Sequence, residues 1–202
     1  MLPFVPLSAK RILDLGCGEG LFSESLKLRN GTEIWGVECE PGAAALAKVR
    51  MDRVFQGDAA RLVGELPEAH FDAIVCNDVL EHLPDPWSLL RDIRPLLAPG
   101  GSLVCSIPNV RHFSVLTDLA WRGEWRYADS GPLDRTHLRF FTRLGIQALF
   151  QETGWRLLQV EGINPYAGWR LRLLNTLALG RLTDCRFLQF ACVAQPAGPG
   201  EP

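Results

Sequence analysis

No C-x-x-C pair occurs in the 202 residues, although the chain has six cysteines, at 17, 39, 76, 105, 185 and 192. That absence argues against the common zinc and redox frameworks. Most of these cysteines sit in apolar, strand-like runs, where a free thiol behaves as a small buried hydrophobe. The expectation is a reducing compartment, the cytoplasm, and no metal site. No basic start followed by an apolar core marks a secretion signal. No uninterrupted apolar run reaches the length that spans a bilayer. No charge of one sign dominates: 21 Lys and Arg stand against 23 Asp and Glu, a net −2. The balance gives no global pull toward nucleic acid or an anionic membrane. No segment repeats.

What is present is ordinary for a globular chain, with 47% hydrophobic and 22% charged residues. The length suits one domain, drawn here over 1–195, with a flexible Pro- and Gly-rich tail at 196–202. Short strands at Ile12, Glu33–Cys39, Arg53, Phe71–Asn77 and Ser102–Ile107 alternate with helices from Leu21, Pro41 and Pro86. This βαβ rhythm predicts an α/β fold, a parallel sheet with helices on both faces. Phe71–Asn77 is nearly continuous in apolar residues, as a strand covered on both faces requires. The rhythm then breaks. Residues 110–140 form a long connection, read as a lid and acceptor pocket with Trp121, Trp125 and Tyr127 as pocket walls. A helix capped by Thr142, a strand from Trp155, a second helical insertion over 164–180 and a last strand, Phe187–Ala194, complete the chain.

The chain is organised around Arg11-Ile-Leu-Asp-Leu-Gly-Cys-Gly-Glu-Gly20. An apolar strand runs into glycines, and a helix follows at Leu21. Glycines let the backbone approach a ligand, and the helix N-terminus offers unpaired N–H groups. A dinucleotide fingerprint, G-x-G-x-x-G, would place its third glycine at 21, which is Leu. The loop is Asp14-x-Gly16-x-Gly18-x-Gly20, whose acid suits a ligand carrying an ammonium group. At the end of the second strand, Glu38 is the candidate to grip ribose hydroxyls. Glu40 competes, although Pro41 beside it favours a helix start that Glu40 would serve. Gly57-Asp58 ends the third strand, and Asn77-Asp-Val-Leu-Glu-His-Leu-Pro84 follows the fourth, where ligands sit in open α/β sheets. Glu81 and His82 have a plain role there in bracing the turn.

The loop resembles motif I of the class I S-adenosylmethionine-dependent methyltransferases, and Asn77–Pro84 resembles motif IV of the same family. The likeness covers roughly residues 8–155. It implies a Rossmann-like sheet of seven strands in order 3-2-1-4-5-7-6, the last antiparallel, with an insertion after strand 5. It also implies that Asp58 faces the adenine amino group and that the Ala59 N–H faces a ring nitrogen. The cofactor set on this reading is Asp14, Gly16, Cys17, Gly18, Glu38, Cys39, Asp58, Ala59, Asn77 and Asp78. It would hold S-adenosyl-L-methionine and release S-adenosyl-L-homocysteine. Ser106-Ile-Pro-Asn-Val-Arg-His112 and Leu133–Thr142 look like bacterial methyltransferases encoded among glycosyltransferases, and like ubiquinone-type O-methyltransferases. One departure is the short chain before motif I, which implies either a more open site or a cover supplied by the insertion.

A hydroxyl acceptor must lose its proton, so a base is expected. His137, His112 and His82 are the candidates, with Asp134 placed to orient His137. Arg135 and Arg139 would bind an anionic acceptor or pair with Asp134. The acceptor is expected to be a small molecule or a saccharide, with no nucleic acid partner, no membrane span, and a monomer or homodimer. The alternatives are a non-catalytic module binding S-adenosylmethionine or S-adenosylhomocysteine, and a nicotinamide-dependent oxidoreductase.

Overall fold

In the computed structural model, which describes residues 1–198, seven strands form one sheet in the order β3-β2-β1-β4-β5-β7-β6. They are β1 (Arg11–Leu15), β2 (Glu33–Glu38), β3 (Arg53–Gln56), β4 (Phe71–Asn77), β5 (Leu97–Pro108), β6 (Trp155–Pro165) and β7 (Phe187–Pro196). β1 to β5 pair in parallel. β7 inserts antiparallel between β5 and β6. The order and the antiparallel last strand are those expected from the resemblance. The tail predicted at 196–202 lies largely outside the described residues, and only its first residues fall within them.

The apolar strands divide residue by residue between two covered faces. Ile12, Ile34, Ala73, Val75 and Val104 meet Leu26 of α1 (Leu21–Asn30) and Ala47 of α2 (Pro41–Arg50). Leu13, Leu15, Ile74, Cys76 and Cys105 meet Leu89 and Leu90 of α4 (Pro86–Asp92) and Ile146 and Phe150 of α6 (Arg143–Glu152). Side chains alternate across a strand, so a run apolar at every position serves both layers. Val5 and Ala9 are buried with the first group, so the opening residues pack on the sheet. All six cysteines are free thiols, and five are buried.

Three helix starts follow their local chemistry. Glu40, Asp85 and Thr142 accept hydrogen bonds from the backbone N–H groups of Ala43, Ser88 and Gly145. Pro follows directly after the first two, where its missing N–H costs nothing.

Two boundaries differ from the sequence expectation. Ala98-Pro-Gly-Gly101 does not separate a helix from a strand starting at Ser102. β5 begins at Leu97, paired with Phe71, and absorbs the glycines through a register shift. The apolar start of the long connection is helical, as its pattern suggests. α5 (Phe113–Thr117) passes into one π-helical turn (Asp118–Arg122) that ends on Gly123 at φ +65°. α7 (Trp169–Leu177) is shorter than the insertion drawn for it, because β6 runs on to Pro165. The remaining short helix, α3 (Ala59–Leu62), follows β3.

Candidate functional site

The loop after β1 turns through Gly16, Gly18 and Gly20, at φ +68°, +54° and +80°. Gly16 has a second reason to be glycine: a Cβ there would stand 2.5 Å from Cγ2 of Val79. Above Gly18 a Cβ would meet nothing within 4 Å, so the turn leaves open space at the start of α1. Asp14 lies buried beneath it, and the Ser23 hydroxyl donates to its Oδ2 at 2.5 Å. Burial pushes the Asp14 carboxyl up to about 7, against the pull of that hydroxyl. Asp14 therefore ties the end of β1 to the first turn of α1 through Ser23. Cys17 is buried beside it, its thiol pushed up to about 12 mainly by burial.

At the end of β2 the two glutamates take separate tasks. Glu40 caps α2. Glu38 is buried and ties two segments together, accepting from Gly18 N–H through Oε2 and from Glu40 N–H through Oε1, each at 2.8 Å. A carboxylate has lone pairs for further donors, so ribose hydroxyls remain within its capacity. Cys39 is exposed, its Sγ 3.5 Å from Glu38 Oε1. Asp58 caps α3 by accepting from Ala60 N–H at 2.9 Å, and Ala59 is the first residue of that helix. At the end of β4, Asn77 Oδ1 is buried with no hydrogen-bond partner. An amide oxygen so placed costs free energy unless something bonds to it. Asp78 follows at φ +53°, a strained conformation for a non-glycine residue, and accepts from Gln189 Nε2 at 2.7 Å.

The connection after β5 folds back over this strand end. Leu138 and Arg139 donate their backbone N–H groups to the Glu81 carbonyl. That return closes a cavity of about 240 Å³ lined by Asp78, Glu81, His82, Pro132, His137 and Gln189, among others. The rings of His82 and His137 meet edge to face at 4.8 Å. His82 Nδ1 lies 3.2 Å from the Thr136 carbonyl oxygen, and His137 Nδ1 lies 3.3 Å from that of Pro132. A carbonyl can only accept, so each Nδ1 carries the proton of the neutral ring and each Nε2 keeps a lone pair. His137 Nε2 lies 3.9 Å from Glu81 Oε1. Glu81 is 1% exposed, and neither carboxyl oxygen has a hydrogen-bond partner. Burial pushes the Glu81 carboxyl up to about 8 and the His137 imidazole below its ordinary value, so both favour neutral forms at pH 7. Glu81, His82 and His137 each offer a donor atom, all within 4.8 Å of one another, a set able to hold a metal ion.

The other expectations for this connection are corrected. Asp134 does not orient His137: its carboxylate is taken by the Thr136 backbone N–H and hydroxyl. Arg135 pairs with Asp129, and Arg139 donates to the Pro84 carbonyl. His112 stands apart from the other two histidines, near the Ser114 hydroxyl and the edge of Tyr166. Of the three aromatics, Trp125 and Tyr127 pack on Phe140, while Trp121 is exposed and lines a separate groove shared with Trp169 and Leu173.

Three contributors escaped the sequence reading: Ser23 beneath Asp14, Gln189 against Asp78, and the buried carboxyl of Glu81. Ser23 and Gln189 carry no local pattern, because each meets its partner only across the fold. Glu81 had a signal, its place in the turn after β4, but the turn alone does not reveal its burial.

A family described as a methyltransferase domain matches residues 2–160. Ubiquinone biosynthesis O-methyltransferase of Xylella fastidiosa (strain 9a5c) is 32% identical over 211 aligned residues, covering 96% of this chain and 78% of the relative. An S-adenosylmethionine-dependent methyltransferase from Archaeoglobus fulgidus superposes with a TM-score of 0.72 at 20% identity, over 96% of this chain and 88% of the other. A [4+2]-cyclase, SpnF, superposes with a TM-score of 0.63 at 20% identity, over 93% and 76%. At such identities these structures speak for the fold alone, and the cyclase shows that the fold by itself does not fix the chemistry.

Proposed function

Because the chain belongs to the class I S-adenosylmethionine-dependent methyltransferases, we propose that it methylates a hydroxyl oxygen of a small-molecule or saccharide acceptor, with His137 as the base. S-adenosylmethionine is the cofactor of this family. The residues fit it, with open space over Gly18, a carboxylate at Glu38 and an unpartnered amide oxygen at Asn77. On this reading Gly16, Cys17 and Gly18 cradle the cofactor, with Glu38, Cys39, Asp58, Ala59, Asn77 and Asp78 around it, and Asp14 braces the loop. When bound, it supplies a methyl group already activated on a sulfonium sulfur.

The single observation that carries the reading is the cavity at the end of β4, which Asp78, Glu81 and His137 line together, with His137 Nε2 3.9 Å from Glu81 Oε1. An acceptor hydroxyl placed there donates its hydrogen bond to Nε2. The proton moves to the imidazole as the oxygen gains its methyl group. A base held neutral near pH 7 is ready for that step without first losing a proton. Holding the acceptor in line is the larger part of the rate, worth roughly 7–11 kcal/mol in favourable cases. His82 supports the ring of His137 edge-on. The free thiols agree with a cytoplasmic enzyme. Leu21 opens α1 where the third glycine of a dinucleotide fingerprint would stand, which weighs against the nicotinamide alternative.

One observation favours a second reading of the same cluster. The donor set of Glu81, His82 and His137 suits a divalent cation, which would ionise the acceptor hydroxyl in place of a base.

The test is transfer of a labelled methyl group from S-adenosylmethionine to a panel of phenols, catechols and sugars. His137→Gln is expected to lower kcat roughly 10²–10⁴-fold with cofactor affinity unchanged. Full activity after chelation keeps the base reading, and loss restored by added magnesium or manganese favours the cation. Cofactor binding with no transfer to any acceptor would leave a binding module.

A further inference from the structure

The face of the molecule formed by α5, its π-helical turn and α7 is apolar where it ought to be wet. On α7, Trp169, Leu173 and Leu177 follow at intervals of four and share one side of the helix. Leu171, on the opposite side, is the residue the helix buries. The outward stripe is open to solvent: Trp169 is 70% exposed and Leu177 71%. Trp121, on the π-helical turn, is 80% exposed. Between the two helices runs a groove of about 520 Å³, with Trp121 and Phe113 on one wall and Trp169, Leu173 and Leu174 on the other. Scattered exposed apolar residues need no account, but a continuous stripe of tryptophan and leucine marks an interaction surface.

The charge on α7 is one-sided, while Asp118 on the facing π-helical turn is paired with Arg122 at 2.6 Å. The chain as a whole carries −2, yet residues 162–183 contain Arg170, Arg172 and Arg181 and no Asp or Glu. Arg170 and Arg172 sit on either flank of the stripe, with Arg170 lying over the ring of Trp169. An apolar face of tryptophan and leucine bordered by arginine is the pattern of a helix lying in a bilayer interface. The rings suit the headgroup boundary, and arginine stems reach from it to phosphate. A second copy of the chain fits less well. A two-fold interface sets the same patch against itself, and this one would face arginine with arginine and offer no acid from α7.

We propose that this face docks on the surface of a bilayer containing anionic lipid, with Trp121, Trp169, Leu173 and Leu177 entering the interface and Arg170 and Arg172 meeting the headgroups. Among the described residues no helix is long and apolar enough to cross a membrane, so the association is peripheral. The inference is independent of the methyl-transfer reading, because no residue of the stripe belongs to the cofactor or His137 sites.

The experiment is co-sedimentation of the full chain with vesicles of phosphatidylcholine alone and of phosphatidylcholine mixed with phosphatidylglycerol. Binding to the mixed vesicles is expected, at least about tenfold tighter than to the neutral ones and weakened by salt. Tryptophan emission should shift to the blue on binding. Trp169→Ser with Leu173→Ser should lower the affinity at least about tenfold while melting temperature and S-adenosylmethionine affinity stay unchanged. Val49→Ser, at an exposed apolar position on α2, should bind as the parent does. Absence of binding to either vesicle overturns the proposal. So does equal binding to both, or a dimer seen by light scattering that the Trp169→Ser, Leu173→Ser variant breaks.

Discussion

Glu38 Oε2 accepts the backbone N–H of Gly18 at 2.8 Å, so the end of β2 is tied to the glycine turn after β1. Glu38→Ala removes this tie as well as the acceptor offered to a ribose. Hydrogen bonds to a charged group are worth about 1.5–3 kcal/mol, so affinity for S-adenosylmethionine should fall at least about tenfold. Calorimetry that finds the affinity unchanged would remove Glu38 from the site.

Gly16→Ala and Gly18→Ala should separate folding from binding. At Gly16 the new Cβ meets Val79 at 2.5 Å on top of a left-handed backbone, so a loss of roughly 2–4 kcal/mol of stability is expected. Val79→Ala in the same chain should recover part of it. At Gly18 only the backbone strain remains, about 1–2 kcal/mol, yet the Cβ intrudes on the open space and cofactor binding should suffer most. Denaturant midpoints set beside binding titrations distinguish the two. Equal loss of binding at equal stability would contradict the assignment of that space.

Asp14 makes stability depend on pH. Its carboxyl is raised from 3.8 to about 7 in the native state, so between those values the folded chain holds a proton that the unfolded chain has released. Stability from this group is complete below pH 3.8 and is lost as pH rises toward about 7. Asp14→Asn cannot titrate and should flatten that part of the curve. Each 1 kcal/mol recovered should raise the melting temperature by about 2–4 °C in a chain of this size. Ser23→Ala should cost more at pH 8 than at pH 5, since the hydroxyl stabilises the ionised form. Melts of both variants that follow the parent at every pH would show that Asp14 does not titrate in this range.

The rate should also report on His137. Its imidazole lies below 6.5 because burial disfavours the cation. The base is the neutral form, so kcat should rise with pH below that value and then level off through pH 8. A rate that keeps rising to pH 9 would instead indicate ionisation of the acceptor itself.

The order of elements and the central sheet were legible in the residues. Glycine spacing, strand-end acids and cap residues act over a few positions, and their chemistry is the same wherever the chain goes. Pro41 pointed to Glu40 as a helix cap, and Glu40 does accept from Ala43 N–H. Tertiary structure decided the rest, because it turns on residues that meet only after the chain folds back. His137 reaches Glu81 across a connection of some fifty residues, Gln189 reaches Asp78 from the last strand, and Asp134 spends its carboxylate on Thr136. The sequence named three histidines as equals. Packing brings His82 and His137 together at one cavity and leaves His112 apart, since solvent exclusion and hydrogen-bond direction are set by packing and have no signature in the order of the residues.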